Sequence, residues 1–216
     1  MTDLMSRFIT LEGGEGVGKS TQIAAIADFL RATGDEVVVT REPGGTAYAE
    51  ALRNLLLTPR EEIVTPSAEL LTLFAARAQH WHALILPALK RGAWVLSDRF
   101  VDATYAYQGA GRGLPVADIA VLERWLLQGH QPGLTLLLDM PVAEGMARAR
   151  ARATLDRFEQ EHVDFFERVR VGYLARAEAD SKRIRCINAA QSLLAVQTDV
   201  LTIVRAYCAE MTGSAT

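Results

Sequence analysis

The residues best placed to do chemistry form one short run, Gly13-Gly14-Glu15-Gly16-Val17-Gly18-Lys19-Ser20. It fits G-x-x-x-x-G-K-[ST], the spacing of a loop that wraps phosphate groups. Glycines allow successive backbone N–H groups to converge on an anion. A helix opening at Lys19 adds its positive end to the same point. Lys19 is expected to reach the β- and γ-oxygens of a triphosphate and the Ser20 hydroxyl to hold Mg²⁺, with Thr21 closing the segment. A GTP-binding switch would also carry N-K-x-D for base reading, and no such string occurs. A motor ATPase would want a longer chain. A small-molecule kinase is the class left.

Further charged residues follow other apolar runs. Thr40-Arg41-Glu42-Pro43-Gly44-Gly45-Thr46 is a tight turn in which Arg41 could bind phosphate with Glu42 orienting it, or the two could form a plain turn ion pair. Ser97-Asp98-Arg99-Phe100 sets an acid able to hold Mg²⁺ through water beside an arginine able to bridge two phosphates. Phe74 and Arg77, three apart, share a helix face on which a ring can stack on a base and a guanidinium can donate to a base carbonyl. Core packing of the ring is the alternative. Tyr105 to Gly113 reads as a Gly-rich loop with aromatics. From Arg148 to Arg157 four arginines occupy ten residues: 148, 150, 152 and 157. Arg148 and Arg152 fall on one helical face and Arg150 on another. On a mobile segment such a run can close over a triphosphate.

The elements that must position these groups are legible in the hydropathy pattern. Buried strands are expected at 8–11, 36–40, 93–96, 134–138 and, more weakly, 184–187. Helices are expected at 19–32, 47–57, 68–90 and 192–210. Apolar strands alternating with helices imply a parallel sheet covered on both faces, with ligands beyond the strands' carboxyl ends. The phosphate loop and the Arg41 and Asp98 segments lie there. The 216 residues suit a single domain, 1–216, with a lid segment at 142–160. The net charge of −3 argues against a nucleic-acid partner, so cationic charge for phosphates must be local. No signal peptide or bilayer-length apolar run is read, which gives a cytoplasmic expectation and no membrane partner. Cys186 and Cys208 match no metal spacing and read as incidental thiols. His80, His82, His130 and His162 read as surface or packing residues.

Taken together, these strings resemble thymidylate kinases of the bacterial type. The resemblance rests on Phe8-Ile9-Thr10-Leu11-Glu12-Gly13 with the phosphate loop, Thr-Arg-Glu-Pro-Gly-Gly at 40–45, Phe-Ala-Ala-Arg at 74–77, Asp-Arg-Phe at 98–100, Ala-Tyr-Gln-Gly at 106–109 and Leu-Asp-Arg-Phe-Glu at 155–159. It implies a three-layer P-loop NTPase fold, α/β, with a five-stranded parallel sheet flanked by helices and a short arginine-rich lid. It implies ATP, Mg²⁺ and dTMP as ligands and a homodimer as the assembly. Phe74 would stack on thymine and Arg77 would contact a thymine carbonyl. Thr104 and Gln108 would face the base, and Tyr107 would crowd the 2′ position. Glu15 would lie near the 3′-hydroxyl. Arg99 would bind the acceptor phosphate, with Arg53 assisting; Glu42 and Pro43 would line the acceptor site. Ser20 and Asp98 would serve the metal. Because Gly16, not arginine, follows Glu15, the catalytic arginine is expected from the lid: Arg152 first, with Arg148 and Arg150 behind it.

A phosphate acceptor has a second pKa near 6 and is largely a dianion at neutral pH, so no general base is required. A deoxynucleoside kinase would share the loop, an acid after the first strand, the Asp-Arg pair and an arginine lid, but would need a base for a sugar hydroxyl. A nucleotide-gated interaction protein would use the same loop as a switch. The stretch Asn188-Ala189-Ala190-Gln191 is the candidate adenine contact.

Overall fold

The computed structural model describes residues 4–151, 157–158, 161–211 and 213. Five strands form the sheet: β1 (Phe8–Glu12), β2 (Val37–Arg41), β3 (Trp94–Asp98), β4 (Leu134–Asp139) and β5 (Ile184–Asn188). All neighbours run parallel in the order β2-β3-β1-β4-β5. Every residue of β1 is buried, as is expected of a central strand packed on both faces. The order puts the ends of β1 and β3 side by side, with Leu11 paired to Asp98, so the phosphate loop and the Asp98-Arg99 pair emerge together.

Helix α1 (Lys19–Ala32) buries Ile23, Ile26, Ala27 and Leu30, a one-sided helical spacing. With α9 (Leu193–Met211) it covers one sheet face. The other face is covered by α3 (Pro66–His80), α4 (Leu86–Lys90), α5 (Val101–Thr104) and α6 (Val116–Leu127). α2 (Ala47–Leu57) lies against α3. A third apolar cluster joins α7 (Val142–Arg150) and α8 (Val163–Ala179) to Ala106 and Tyr107. Among the described residues no helix is long and apolar enough to cross a membrane.

The structure departs from expectation in two helical stretches. The long helix at 68–90 starts earlier, capped by the Thr65 hydroxyl with Pro66 in its first turn, and loosens into a π-helical turn at Trp81–Ile85. Pro87 is the physical reason, since it cannot donate to the carbonyl a turn before it. The segment expected as a loop at 105–113 is instead a second π-helical stretch, Tyr105–Gly111, continuing α5. Gly111 permits this packing: a Cβ there would come within 2.7 Å of Phe165 on α8.

Candidate active site

The loop between β1 and α1 folds as its glycines require. Gly13, Gly16 and Gly18 have φ of 136°, 71° and 93°, all positive and open to glycine. At Gly16 the constraint is also steric, because a Cβ would lie 1.9 Å from the Gly145 carbonyl oxygen on α7. No side chain fits at position 16. Lys19 curls back to donate from Nζ to the carbonyls of Gly13 (3.1 Å) and Gly14 (2.8 Å). Burial first, and then the nearby Arg99 charge, pull its pKa below the usual lysine value.

Arg99 faces this loop. Its guanidinium donates to the Gly13 carbonyl (2.8 Å), to the Glu15 carboxylate (2.6 Å) and to the Tyr173 hydroxyl (3.3 Å), and lies over the Tyr107 ring. Burial opposes its charge, but Glu15 and the tyrosine hydroxyls outweigh that and hold its pKa well above the ordinary value. The backbone here is strained: Arg99 has φ of 68°, which costs a residue with a Cβ about 1–3 kcal/mol. Surrounding bonds enforce it. Arg99 N–H donates to Leu11 O, Ser97 Oγ donates to Arg99 O (2.7 Å), and Phe100 N–H donates to Glu12 Oε1 (2.7 Å). The second oxygen of Glu12 accepts from Tyr173 (2.9 Å). Burial, reinforced by Asp102, raises the Glu12 pKa to about 8.

A cavity of about 390 Å³ opens between the loop and this arginine. Of the sequence-predicted residues, Glu15, Gly16, Val17, Gly18, Lys19 and Ser20 line its donor side. Asp98 and Arg99 stand in the middle, and Glu42, Pro43, Arg53, Arg77, Thr104, Tyr107 and Gln108 line the other end. Arg53 donates to the Pro43 carbonyl (2.8 Å), and the Tyr107 hydroxyl donates to Glu15 (2.7 Å). Two buried polar atoms of the lining have no hydrogen-bond partner: Asp98 Oδ1 and Arg77 Nη1. The first shares the cavity lining with Ser20 and is the oxygen donor that a hard cation such as Mg²⁺ prefers.

Other expectations land elsewhere. Phe74 is 5% exposed, lies under the Arg77 guanidinium and belongs to the core cluster; Leu73, not Phe74, lines the cavity. Glu42 does not orient Arg41. It accepts from Arg77 (2.7 Å) and bonds His80 (3.0 Å), while Arg41 pairs with Glu50 (3.0 Å). Glu42 is buried and Arg41 exposed, and both line the cavity. Thr21 is exposed on α1, and Arg150 is exposed on α7. Arg148, also on α7, donates to the Ala189 carbonyl (3.3 Å). Arg152 lies outside the described residues. Cys186 and Cys208 are free, and no metal-ligating cluster of three or more His, Cys, Asp or Glu occurs among the described residues.

The family model described as thymidylate kinase matches residues 11–200. The chain belongs to the thymidylate kinase family. It is 60% identical over 205 residues to the thymidylate kinase of Teredinibacter turnerae, covering 94% of this chain and all of that one. It is 55% identical over 201 residues to that of Alcanivorax borkumensis, covering 93% and 97%. The crystal structure of the thymidylate kinase from Ehrlichia chaffeensis superposes with a TM-score of 0.76 at 31% identity, covering 93% of this chain and 98% of the other. The parallel sheet flanked by helices is thus the P-loop kinase fold of this family, as its sequence implies.

Sequence reasoning gave no role to Glu12, Tyr173 or Glu69, and read His80 only as a surface or packing residue. Glu12 had a usable signal, a lone acid ending an otherwise apolar strand. Tyr173 sits on α8, whose buried residues Phe165, Val169, Tyr173 and Ala177 recur every four positions between charges.

Proposed function

We propose that this thymidylate kinase family member transfers the γ-phosphoryl of Mg-ATP to dTMP, with Arg99 as the bridge between the two anions. The observation that carries this reading is the Arg99 cage. A strained, bond-enforced backbone aims one permanently charged guanidinium at the phosphate loop from within the cavity that also holds Arg77. Phosphoryl transfer depends chiefly on positioning and charge stabilisation.

On triphosphate binding, Lys19 exchanges the Gly13 and Gly14 carbonyls for phosphate oxygens. Its bonds to those carbonyls hold it at the loop in advance. Ser20 and Asp98 are suited to hold Mg²⁺, which when bound neutralises phosphate charge. Glu15 pairs with Arg99 (2.6 Å) and faces the acceptor sugar together with Tyr107. Arg77, set by Glu42, donates its unpartnered Nη1 to a base carbonyl. Thr104 and Gln108 face the base edge, and Phe74, the ring under the Arg77 guanidinium, is the residue assigned to stack on the base. Arg53 supports the acceptor phosphate. Because the acceptor is a phosphate, the cavity needs no general base. That need separates dTMP from the sugar hydroxyl that a deoxynucleoside kinase would have to deprotonate.

The Gly16–Gly145 contact leaves no room for a side chain at position 16, which supports a cation supplied from the lid at 142–160, from Arg152 ahead of Arg148 and Arg150. The Arg148 bond to Ala189 supports an adenine site beside 188–191. The enzyme works in the cytoplasm as a homodimer.

The test is an ADP-release assay across nucleoside monophosphates, with thymidine as the competing acceptor. dTMP should be the preferred acceptor and thymidine inactive; turnover of thymidine would favour the deoxynucleoside reading. Arg99→Ala should lose on the order of 10³ in turnover while retaining its fold by circular dichroism. Near-normal turnover in that variant would remove Arg99 from the mechanism.

A further inference from the structure

Glu69, in the first turn of α3, has no exposed surface, yet its carboxylate gathers side chains from two distant segments. Oε1 accepts from Gln108 Nε2 (2.9 Å) and Arg112 Nε (3.2 Å). Oε2 accepts from Arg157 Nη2 (2.6 Å) and Arg112 Nη2 (3.3 Å). A carboxylate paired with two guanidinium groups can only accept. The group that Gln108 turns toward it must therefore be its NH₂. A carboxamide is planar with two unlike ends, so this bond fixes the other end. The Gln108 side-chain carbonyl makes no hydrogen bond among the described residues, and Gln108 lines the acceptor end of the cavity.

We propose that Glu69 is a positioning residue for base selection, locking the Gln108 carboxamide so that the acceptor site presents a carbonyl oxygen to the base. Such a site accepts a pyrimidine whose N3 carries hydrogen and rejects one whose N3 carries a lone pair. Arg77 reads the adjacent position in the same sense, since its unpartnered N–H suits a 4-oxo group and opposes a 4-amino group. Glu69 does not touch substrate; it acts through Gln108. The inference rests on the reading that dTMP binds in this cavity.

The discriminating measurement is the ratio of kcat/KM for dTMP to that for dCMP in Glu69→Gln. A neutral carboxamide at 69 can both donate and accept, so Gln108 is free to turn over. The ratio should fall about tenfold or more, since a polar site rejects a mismatched partner strongly only while its orientation is fixed. Most of the change should appear in the KM for dTMP. A purely structural role lowers both substrates in parallel, and a ratio is independent of how much protein is folded. An unchanged ratio overturns the proposal. If Glu69→Gln yields no folded protein, Glu69→Asp is measured in its place, because it keeps a buried negative charge near the arginines while its shorter side chain pulls the acceptor back from Gln108. A fall in the same ratio supports the proposal there, and an unchanged ratio overturns it. Failure of the unmodified protein to phosphorylate dTMP would instead sink the parent reading.

Discussion

Two buried carboxylates beside the cavity behave in opposite ways, and the difference lies in their partners. Burial would raise the Glu42 pKa, but Arg77 and His80 outweigh it and hold the carboxyl below its ordinary value. Its stabilising contribution is therefore present above the unfolded pKa and is lost as pH falls through the folded one. Glu42→Gln strips a charged partner from Arg77, which is 3% exposed. It should cost about 3–5 kcal/mol in denaturant unfolding and raise the KM for dTMP, because Arg77 loses its aim. Glu12 receives two neutral donors and faces Asp102, so burial wins and its pKa rises to about 8. A raised carboxyl pKa means the folded state binds the extra proton, so stability declines as pH climbs from the unfolded value of 4.5 toward 8. Glu12→Gln removes that titration. Its melting temperature relative to the unmodified protein should improve as pH rises through that window; a pH-independent difference would show that Glu12 is ionised throughout.

At the level of elements, the phosphate loop and α7 are set by a contact between two glycines. A Cβ on Gly145 would sit 2.4 Å from the Glu15 carbonyl oxygen, the mirror of the collision at Gly16. Gly145 has no positive φ, so Gly145→Ala tests the close approach without backbone strain. The methyl group should push the loop crest away from its phosphate-binding geometry. A displacement of about 1 Å costs on the order of 10² in rate, so kcat/KM for ATP should fall by about that factor, while calorimetry shows a folded enzyme. The same contact explains why α7, which leads into the arginine-rich segment, starts beside the loop.

At the scale of the whole molecule, several large apolar side chains are exposed on two neighbouring helices. Leu71 on α3 and Val121 and Trp125 on α6 are 58%, 53% and 74% exposed, on helices that pack against each other. A stripe of this kind on a charged chain suits a symmetric helix–helix interface. Trp125→Lys should shift sedimentation equilibrium from dimer to monomer. A monomer before substitution would refute the dimer.

Much of the layout is written locally. The phosphate loop, its helix and the five apolar strands depend on residue type and on spacings of a few positions, because φ preferences and amphipathic periods are short-range properties. Residues 105–111 and α8 escaped because glycines and interleaved charges mask helical periodicity there. Which charges meet was decided by the tertiary structure alone. Glu42 and Arg77, Glu15 and Arg99, and Glu12 and Tyr173 are 35, 84 and 161 positions apart. Nothing in local sequence chooses Glu42 over Glu50 as the partner of Arg77. The strand order β2-β3-β1-β4-β5 and the packing of the helices around the sheet make that choice, since a buried charge is stable only where the fold brings it a partner.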